Sequence, residues 1–313
     1  MRLFSHNDLD GVSPAVLALR AFSKENVHYS CVGIYKIDEV IEEYLEENED
    51  IEEEIYITDI SVNEEVAAKL NERVQRGQTI LLFDHHSSAK WLDETYEWAT
   101  VKAVDEKGQK TCGTELFYHH LLKEGKLQET PVMSEYVELV RQFDTWDWYE
   151  NNNEKAKKLN HLFYLIKRED FIETVLTTLD KEEEFAFTEV HETILALEQE
   201  KIDRYIHNKS HQMIKEQLEI GETQYTAGIV FAENYQSELG NALCVEDEEL
   251  DFVALIDMGK RRIGFRTARD NVNLSEIAAR FDGGGHPKAA GCSLGKETFD
   301  LFVLHTMFSE SEA

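Results

Sequence analysis

Five short apolar runs, "MRLFS" from residue 1, "HYSCVGI" from 28, "EIYITDI" from 54, "TILLFDHH" from 79 and "WATVKAV" from 98, alternate with stretches of helical periodicity. Runs of this length read as strands, and strands alternating with helices form a mostly parallel sheet flanked by helices, an α/β architecture. "VNEEVAAKLNERVQRG", residues 62–77, has apolar residues at helical spacing and ends on Gly77, a C′ residue. Ser13 and Pro14 read as the N-cap and first position of an earlier helix. In an open parallel sheet, ligands bind beyond the carboxyl ends of the strands. Three of these runs break off into polar groups there: His6, Asp8 and Asp10 in "SHNDLDG", Asp59 after "EIYIT", and Asp84, His85 and His86 after "TILLF".

The texture changes after residue 150. Residues 151–215 read as a helical connector, opening "NNNEKAKK" and continuing through "HETILALEQEKIDRYIHNKSHQMIKEQL". Residues 216–313 form a smaller mixed-sheet α/β unit, with strands "YTAGIVF", "DFVALIDMG" and "RRIGFRTA", helices near "SELGNALC" and "NLSEIAARF", then "DGGGHPKAAG". The acidic blocks "EEYLEENEDIEEE" (42–54) and "VEDEELD" (245–251) read as solvated faces or loops.

At 313 residues there is enough chain for two domains. Lys plus Arg number 32 against 63 Asp plus Glu, a net charge of −31, so the molecule repels long polyanions. That excludes a protein that tracks duplex nucleic acid; a phosphate compound bound here should be small, or held by a few local cations and metals. No apolar run approaches the roughly 18 to 20 residues that span a membrane, and no signal segment is visible, so a soluble cytoplasmic protein is expected. Cys31, Cys112, Cys244 and Cys292 are scattered without a C-x-x-C pair, which suits a reducing compartment.

Imidazole and carboxylate without thiolate favour Mn²⁺, Zn²⁺ or Fe, and an excess of carboxylates suits two ions bridged by shared oxygens. Two cations roughly 3.5 to 4 Å apart can activate a bridging water and neutralise a phosphoryl group in in-line displacement. A lone Asp at a strand end is usually a turn or helix cap. Packing gives no reason, however, to place His6, Asp8 and Asp10 on alternate positions of one loop. His119 and His120, inside the helical "TELFYHHLLKEG", read as helix surface. In "GGGHPKAAG", residues 283–291, glycines let backbone N–H groups approach an anion, with His286 and Lys288 beside them. Arg266, just upstream, has a fork suited to phosphate.

These residues together resemble the DHH phosphoesterase superfamily, in the branch that carries a DHHA1 domain. "SHNDLDG" resembles its first motif, "TDIS" the second, "FDHH" the third, "FDTWDW" the fourth, and "RTARDNVNLSEIAARFDGGGHPKAAG" the substrate-binding end of DHHA1. The resemblance implies a two-Mn²⁺ hydrolase with its site in the cleft between the domains, with Mg²⁺ or Co²⁺ as substitutes. It implies that His6 and Asp8 hold one ion, Asp10 and His85 the other, and that Asp59 and Asp144 bridge both, with Asp147 the alternative to Asp144. His86 would face the substrate phosphate, Asp84 would orient an imidazole, and Arg266, Gly284, Gly285 and His286 would bind the end of the substrate. Within the superfamily the chain resembles oligoribonucleases of the nanoRNase type, which act on very short RNA. The alternatives are 3′,5′-bisphosphate adenosine, or linear and cyclic dinucleotides. A silent metal-dependent sensor is disfavoured because every expected ligand is present. A homodimer would be ordinary for an enzyme of this size.

Overall fold

Leu3, Phe4 and Ser5 are fully buried in strand β1 (Arg2–Ser5), as a strand covered on both faces requires. The structure is a computed structural model and describes residues 1–49, 53–181 and 183–295, in two compact units, Met1–Leu195 and Ala196–Ala313. After β1 the first unit runs α1 (Leu9–Ala21), β2 (His28–Cys31), α2 (Ile37–Glu47), β3 (Ile55–Thr58), α3 (Glu64–Gln75), β4 (Ile80–Asp84), α4 (Lys90–Thr95), β5 (Ala99–Val101), α5 (Gly113–Lys123), α6 (Pro131–Asp144), α7 (Asp147–Glu150), α8 (Glu154–Leu165) and α9 (Arg168–Lys181). Helix α10 (Glu189–Ser210) leads into β6 (Ile214–Ile220), β7 (Thr223–Phe231), α11 (Gln236–Glu246), β8 (Phe252–Asp257), β9 (Arg262–Arg266), α12 (Leu274–Ala279), β10 (Gly284–His286) and β11 (Ala289–Ser293).

The five strands of the first sheet are all parallel, in the order β2-β1-β3-β4-β5. Successive side chains face opposite ways. Leu3, Tyr56 and Phe83 pack beneath α1, α5 and α6, whereas Phe4, Ile57 and Leu82 pack against Ile41, Val66, Leu70 and Leu92 of α2, α3 and α4. The second sheet is mixed, in the order β10-β11-β9-β8-β7-β6, with β7 and β8 parallel and the other neighbours antiparallel. α12 covers one face through Leu274 and Ile277, and α11 the other through Leu239 and Leu243.

Three expectations need correction. The first helix starts at Leu9, not after Ser13: Asp8 is its N-cap, accepting from Gly11 N at 2.9 Å, and Pro14 lies inside it. Proline removes the N–H that would reach the carbonyl four residues earlier. That carbonyl, on Asp10, instead accepts from Thr114 Oγ1 at 2.7 Å. The helical connector expected through residue 215 ends at Ser210, where the Ser210 hydroxyl donates to the His207 carbonyl at 2.9 Å, and 214–220 is strand β6. Finally, His120 is not plain helix surface: its ring packs on Phe83 at 4.9 Å and Tyr56 at 5.9 Å between centroids. The segment 151–195 packs into the first unit, with Leu159, Phe163, Phe171 and Val175 in the same buried cluster as Val12 and Val16. Residues 50–52 of the first acidic block and 296–313 of the second expected domain lie outside the described residues.

Candidate metal centre

The order of the first sheet reverses between β1 and β3: the chain steps from β1 to one neighbour, β2, and then to the other, β3. Such a switch point opens a crevice at the carboxyl ends of the strands. Ser5 and Thr58 are paired there, and the Ser5 hydroxyl donates to the Thr58 carbonyl at 2.8 Å. His6 and Asp59 therefore leave the sheet side by side. Asp59 turns into the left-handed region at φ 57°, which Asp tolerates better than most residues, while its N–H still donates to the Phe83 carbonyl of β4 at 2.9 Å.

Three groups of donors form, the atoms of each lying within 4.8 Å of one another: His6, Asp8 and Asp59; Asp59, Asp84, His85 and His86; and Asp10, His85 and Asp144. Asp59 belongs to two of them, and so does His85. His6 Nδ1 lies 2.7 Å from Asp8 Oδ2 and 3.7 Å from Asp59 Oδ2. His85 Nε2 lies 3.3 Å from Asp59, 3.5 Å from Asp144 and 3.9 Å from Asp10. Asp84 Oδ1 accepts from the backbone of His85 at 2.7 Å and sits 2.7 Å from His86 Nδ1, which fixes the His86 ring with Nε2 at its far edge.

Asp10 is held by a part of the chain that the sequence does not advertise. Its two carboxylate oxygens accept from the backbone N–H groups of Gly113 at 2.7 Å and Thr114 at 2.9 Å, the first turn of α5. An anion at a helix N-terminus is favoured by the unpaired N–H groups and the helix dipole. Such close approach needs glycine, because a Cβ on Gly113 would meet Asp59 Cβ at 2.6 Å.

Asp144, the last residue of α6, faces this cluster. Asp147 does not: it pairs with Arg141 at 2.7 Å and Lys110 at 3.1 Å, and Arg141, only 2% exposed, also makes two bonds to Glu138. Trp148 is buried, and the partly buried Trp146 packs against the same core.

The electrostatics of the cluster suit cations. Burial and then the Asp10 charge push Asp144 up to about 7, and burial with the Asp10 and Asp8 charges raises Asp59 well above the usual carboxylate range. The adjacent Asp59 and Asp8 carboxylates push His6 up to about 10. Asp59 Oδ2, Asp144 Oδ2 and His85 Nε2 are buried without a hydrogen-bond partner. Buried polar atoms normally have one, and oxygen and imidazole donors crowded this way fit divalent metal ions. With such ions in place, the arrangement can neutralise a phosphoryl group and generate a nucleophile from water.

In the second unit, "GGGHPKAAG" is the β10–β11 hairpin, so its glycines have a packing role as well. A Cβ on Gly283 would meet the Gly291 carbonyl at 2.2 Å, and Gly285 has φ +139° against Ala290, whereas Gly284 has nothing near it. His286, Ala289 and Arg266 share one cross-strand row, which puts His286 and Arg266 on one face, two strand spacings or about 10 Å apart. Arg266 lies along α11: Gly240 leaves room for its stem, and Nη2 donates to Ser237 Oγ at 3.1 Å.

No protein-family model matches the chain. It is 39% identical over 304 residues to Oligoribonuclease NrnB of Bacillus subtilis (strain 168), covering 96% of this chain and 74% of that protein. The chain belongs to the DHH phosphoesterase superfamily. This DHH phosphoesterase is a hydrolase, a nucleotide phosphodiesterase or exonuclease. Its fold is similar to that of exonuclease RecJ bound to manganese, with TM-score 0.58, 15% identity and coverage of 96% of this chain and 87% of the other. It is also similar to the pGpG-specific phosphodiesterase PggH from Vibrio cholerae, with TM-score 0.53, 14% identity and coverage of 97% and 96%. Among the described residues of this DHH phosphoesterase, no helix is long and apolar enough to cross a membrane.

Proposed function

We propose that this chain is a Mn²⁺-dependent oligoribonuclease that hydrolyses very short RNA to mononucleotides. The observation that carries the reading is the sharing of a carboxylate: Asp59 belongs to two of the three donor groups, as expected of a side chain whose two oxygens serve neighbouring cations. His6 and Asp8 would hold one ion and Asp10 and His85 the other, with Asp59 and Asp144 reaching both. Cations bound there supply charge neutralisation at the phosphoryl group and an activated water. The N-terminus of α5 holds Asp10 in place through the N–H groups of Gly113 and Thr114. Asp84 holds His86 by Nδ1, so that Nε2 is available to donate to a phosphate oxygen. Arg266, His286 and the backbone at Gly284 and Gly285 would bind the end of the substrate.

Two names support the substrate class: the relative from B. subtilis is named an oligoribonuclease, and PggH is specific for the dinucleotide pGpG. The RecJ structure, which contains manganese, supports the choice of metal. The net charge of −31 disfavours long polyanions. The deciding experiment measures mononucleotide release from labelled RNA of two, five and about twenty residues, with Mn²⁺ and with chelator, alongside 3′,5′-bisphosphate adenosine. Mn²⁺-dependent cleavage that favours the shortest RNA is expected. Cleavage of the bisphosphate alone would keep the metal chemistry and overturn the substrate.

A further inference from the structure

The row formed by Cys31, Ser5 and Thr58 ends β2, β1 and β3 together, and the Val32 N–H still donates to the Ser5 carbonyl at 2.9 Å. The chain leaving β2 thus rises beside His6, one strand spacing of about 4.8 Å away. It carries two large apolar side chains into solvent, Ile34 at 58% and Tyr35 at 82% exposure. Helix α9 begins against the same edge, where Arg168 Nη1 donates to the Cys31 carbonyl at 3.3 Å. Burial raises the Cys31 thiol, and the charges of Arg168 and Asp8 act on it in opposite senses. Tyr164, near the end of α8, is 67% exposed and stands on the buried Phe163 with ring centroids 4.9 Å apart. Partial enclosure and the charge of Asp8 raise its phenol.

Single exposed hydrophobic residues are ordinary. Here, however, Arg168 bonds the carbonyl that ends the strand, with Tyr164 four residues before it in the chain and Tyr35 four residues beyond Cys31 on the loop, in a chain of net charge −31. None of the three side chains is a metal-ligand candidate or part of the buried core. Aromatic faces for bases and a local cation for phosphate are what single-stranded nucleic acid requires of a protein surface.

We propose that Tyr164 and Arg168, with the loop bearing Tyr35, form the subsite of the first unit that holds one nucleoside of the substrate beside the metal centre, the Tyr164 ring stacking on its base. The inference rests on the oligonucleotide reading above. Because every base has a π-face, the subsite should show little base preference.

The test compares the full-length wild type with Tyr164→Ala, Tyr164→Phe and Arg168→Gln. Three quantities are measured: steady-state cleavage of a diribonucleotide with Mn²⁺, fluorescence quenching of a hydrolysis-resistant 2-aminopurine diribonucleotide, and calorimetric Mn²⁺ titration. Tyr164→Ala should raise KM about tenfold, leave kcat within about twofold and abolish the quenching. Tyr164→Phe should restore both, Arg168→Gln should weaken binding, and Mn²⁺ affinity should not change in any of them. Wild-type KM and quenching in Tyr164→Ala would overturn the subsite, as would a loss of Mn²⁺ binding shared by the Ala and Phe variants. A wild type that releases no mononucleotide yet quenches the probe through Tyr164 would sink the oligoribonuclease reading and leave the subsite standing.

Discussion

Replacing Gly113 by Ala should damage the candidate metal centre without replacing any of its donors. The added Cβ would lie 2.6 Å from Asp59 Cβ and 2.8 Å from both Asp59 Cα and Asp59 N. None of these atoms is the tip of a flexible side chain, and carbon atoms pack best at about 3.5 to 4.0 Å, so α5 or the Asp59 turn must retreat by about 1 Å. The same retreat stretches the bonds of 2.7 and 2.9 Å through which Gly113 N and Thr114 N hold Asp10. Overpacking of this kind costs about 1–3 kcal/mol of stability. A ligand displaced by about 1 Å lowers turnover on the order of 10²-fold. Mn²⁺ titration, thermal unfolding with and without Mn²⁺, and diribonucleotide kcat/KM measure the three effects. Gly259→Ala is the control, because its Cβ would meet Asp257 Oδ1 at an ordinary 3.4 Å. Gly113→Ala with wild-type Mn²⁺ affinity and kcat/KM would show that the approach of α5 does not position Asp10.

Other substitutions test the separate roles. Asp59→Ala should abolish turnover while the fold survives, because Asp59 is common to two donor groups; activity near the wild type would refute the shared-ligand role. Asp144→Asn should weaken Mn²⁺ binding in calorimetry. Asp147→Asn should spare metal binding but lower stability in urea by about 1–3 kcal/mol, since it loosens an ion pair of the buried Arg141; the opposite pattern would exchange the two carboxylates. Burial lowers the pKa of His120 below its usual 6.5. The unfolded chain therefore binds more protons there below pH 6.5, and stability falls as pH falls. His120→Leu should flatten that acid limb in urea unfolding between pH 7 and 5, and an unchanged slope would place the titrating group elsewhere.

What the sequence made legible was whatever local pattern dictates. Strands buried on both faces leave dense apolar runs, and three of the five runs break off into His or Asp at their carboxyl ends, so the candidate donors could be read in order. What stayed hidden depends on contacts between residues far apart in the chain. Pro14 looks like a helix start because the sequence near it does not show that Thr114, a hundred residues on, satisfies the Asp10 carbonyl that the proline leaves open. Asp144 and Asp147 are three apart on a helical stretch, and spacing alone cannot rank them; Lys110 and Arg141 do so by pairing with Asp147. "IKEQLEI" continues a charged, helix-favouring stretch, yet seven residues of antiparallel pairing with β7 make it a strand. The same principle governs the chemistry. Burial and then the charge of Asp10 raise Asp144 to about 7, and the arrangement is fixed by groups outside the donor set: the α5 N-terminus on Asp10, the Gly11 N–H on Asp8 and the Ser5–Thr58 pairing beneath His6 and Asp59.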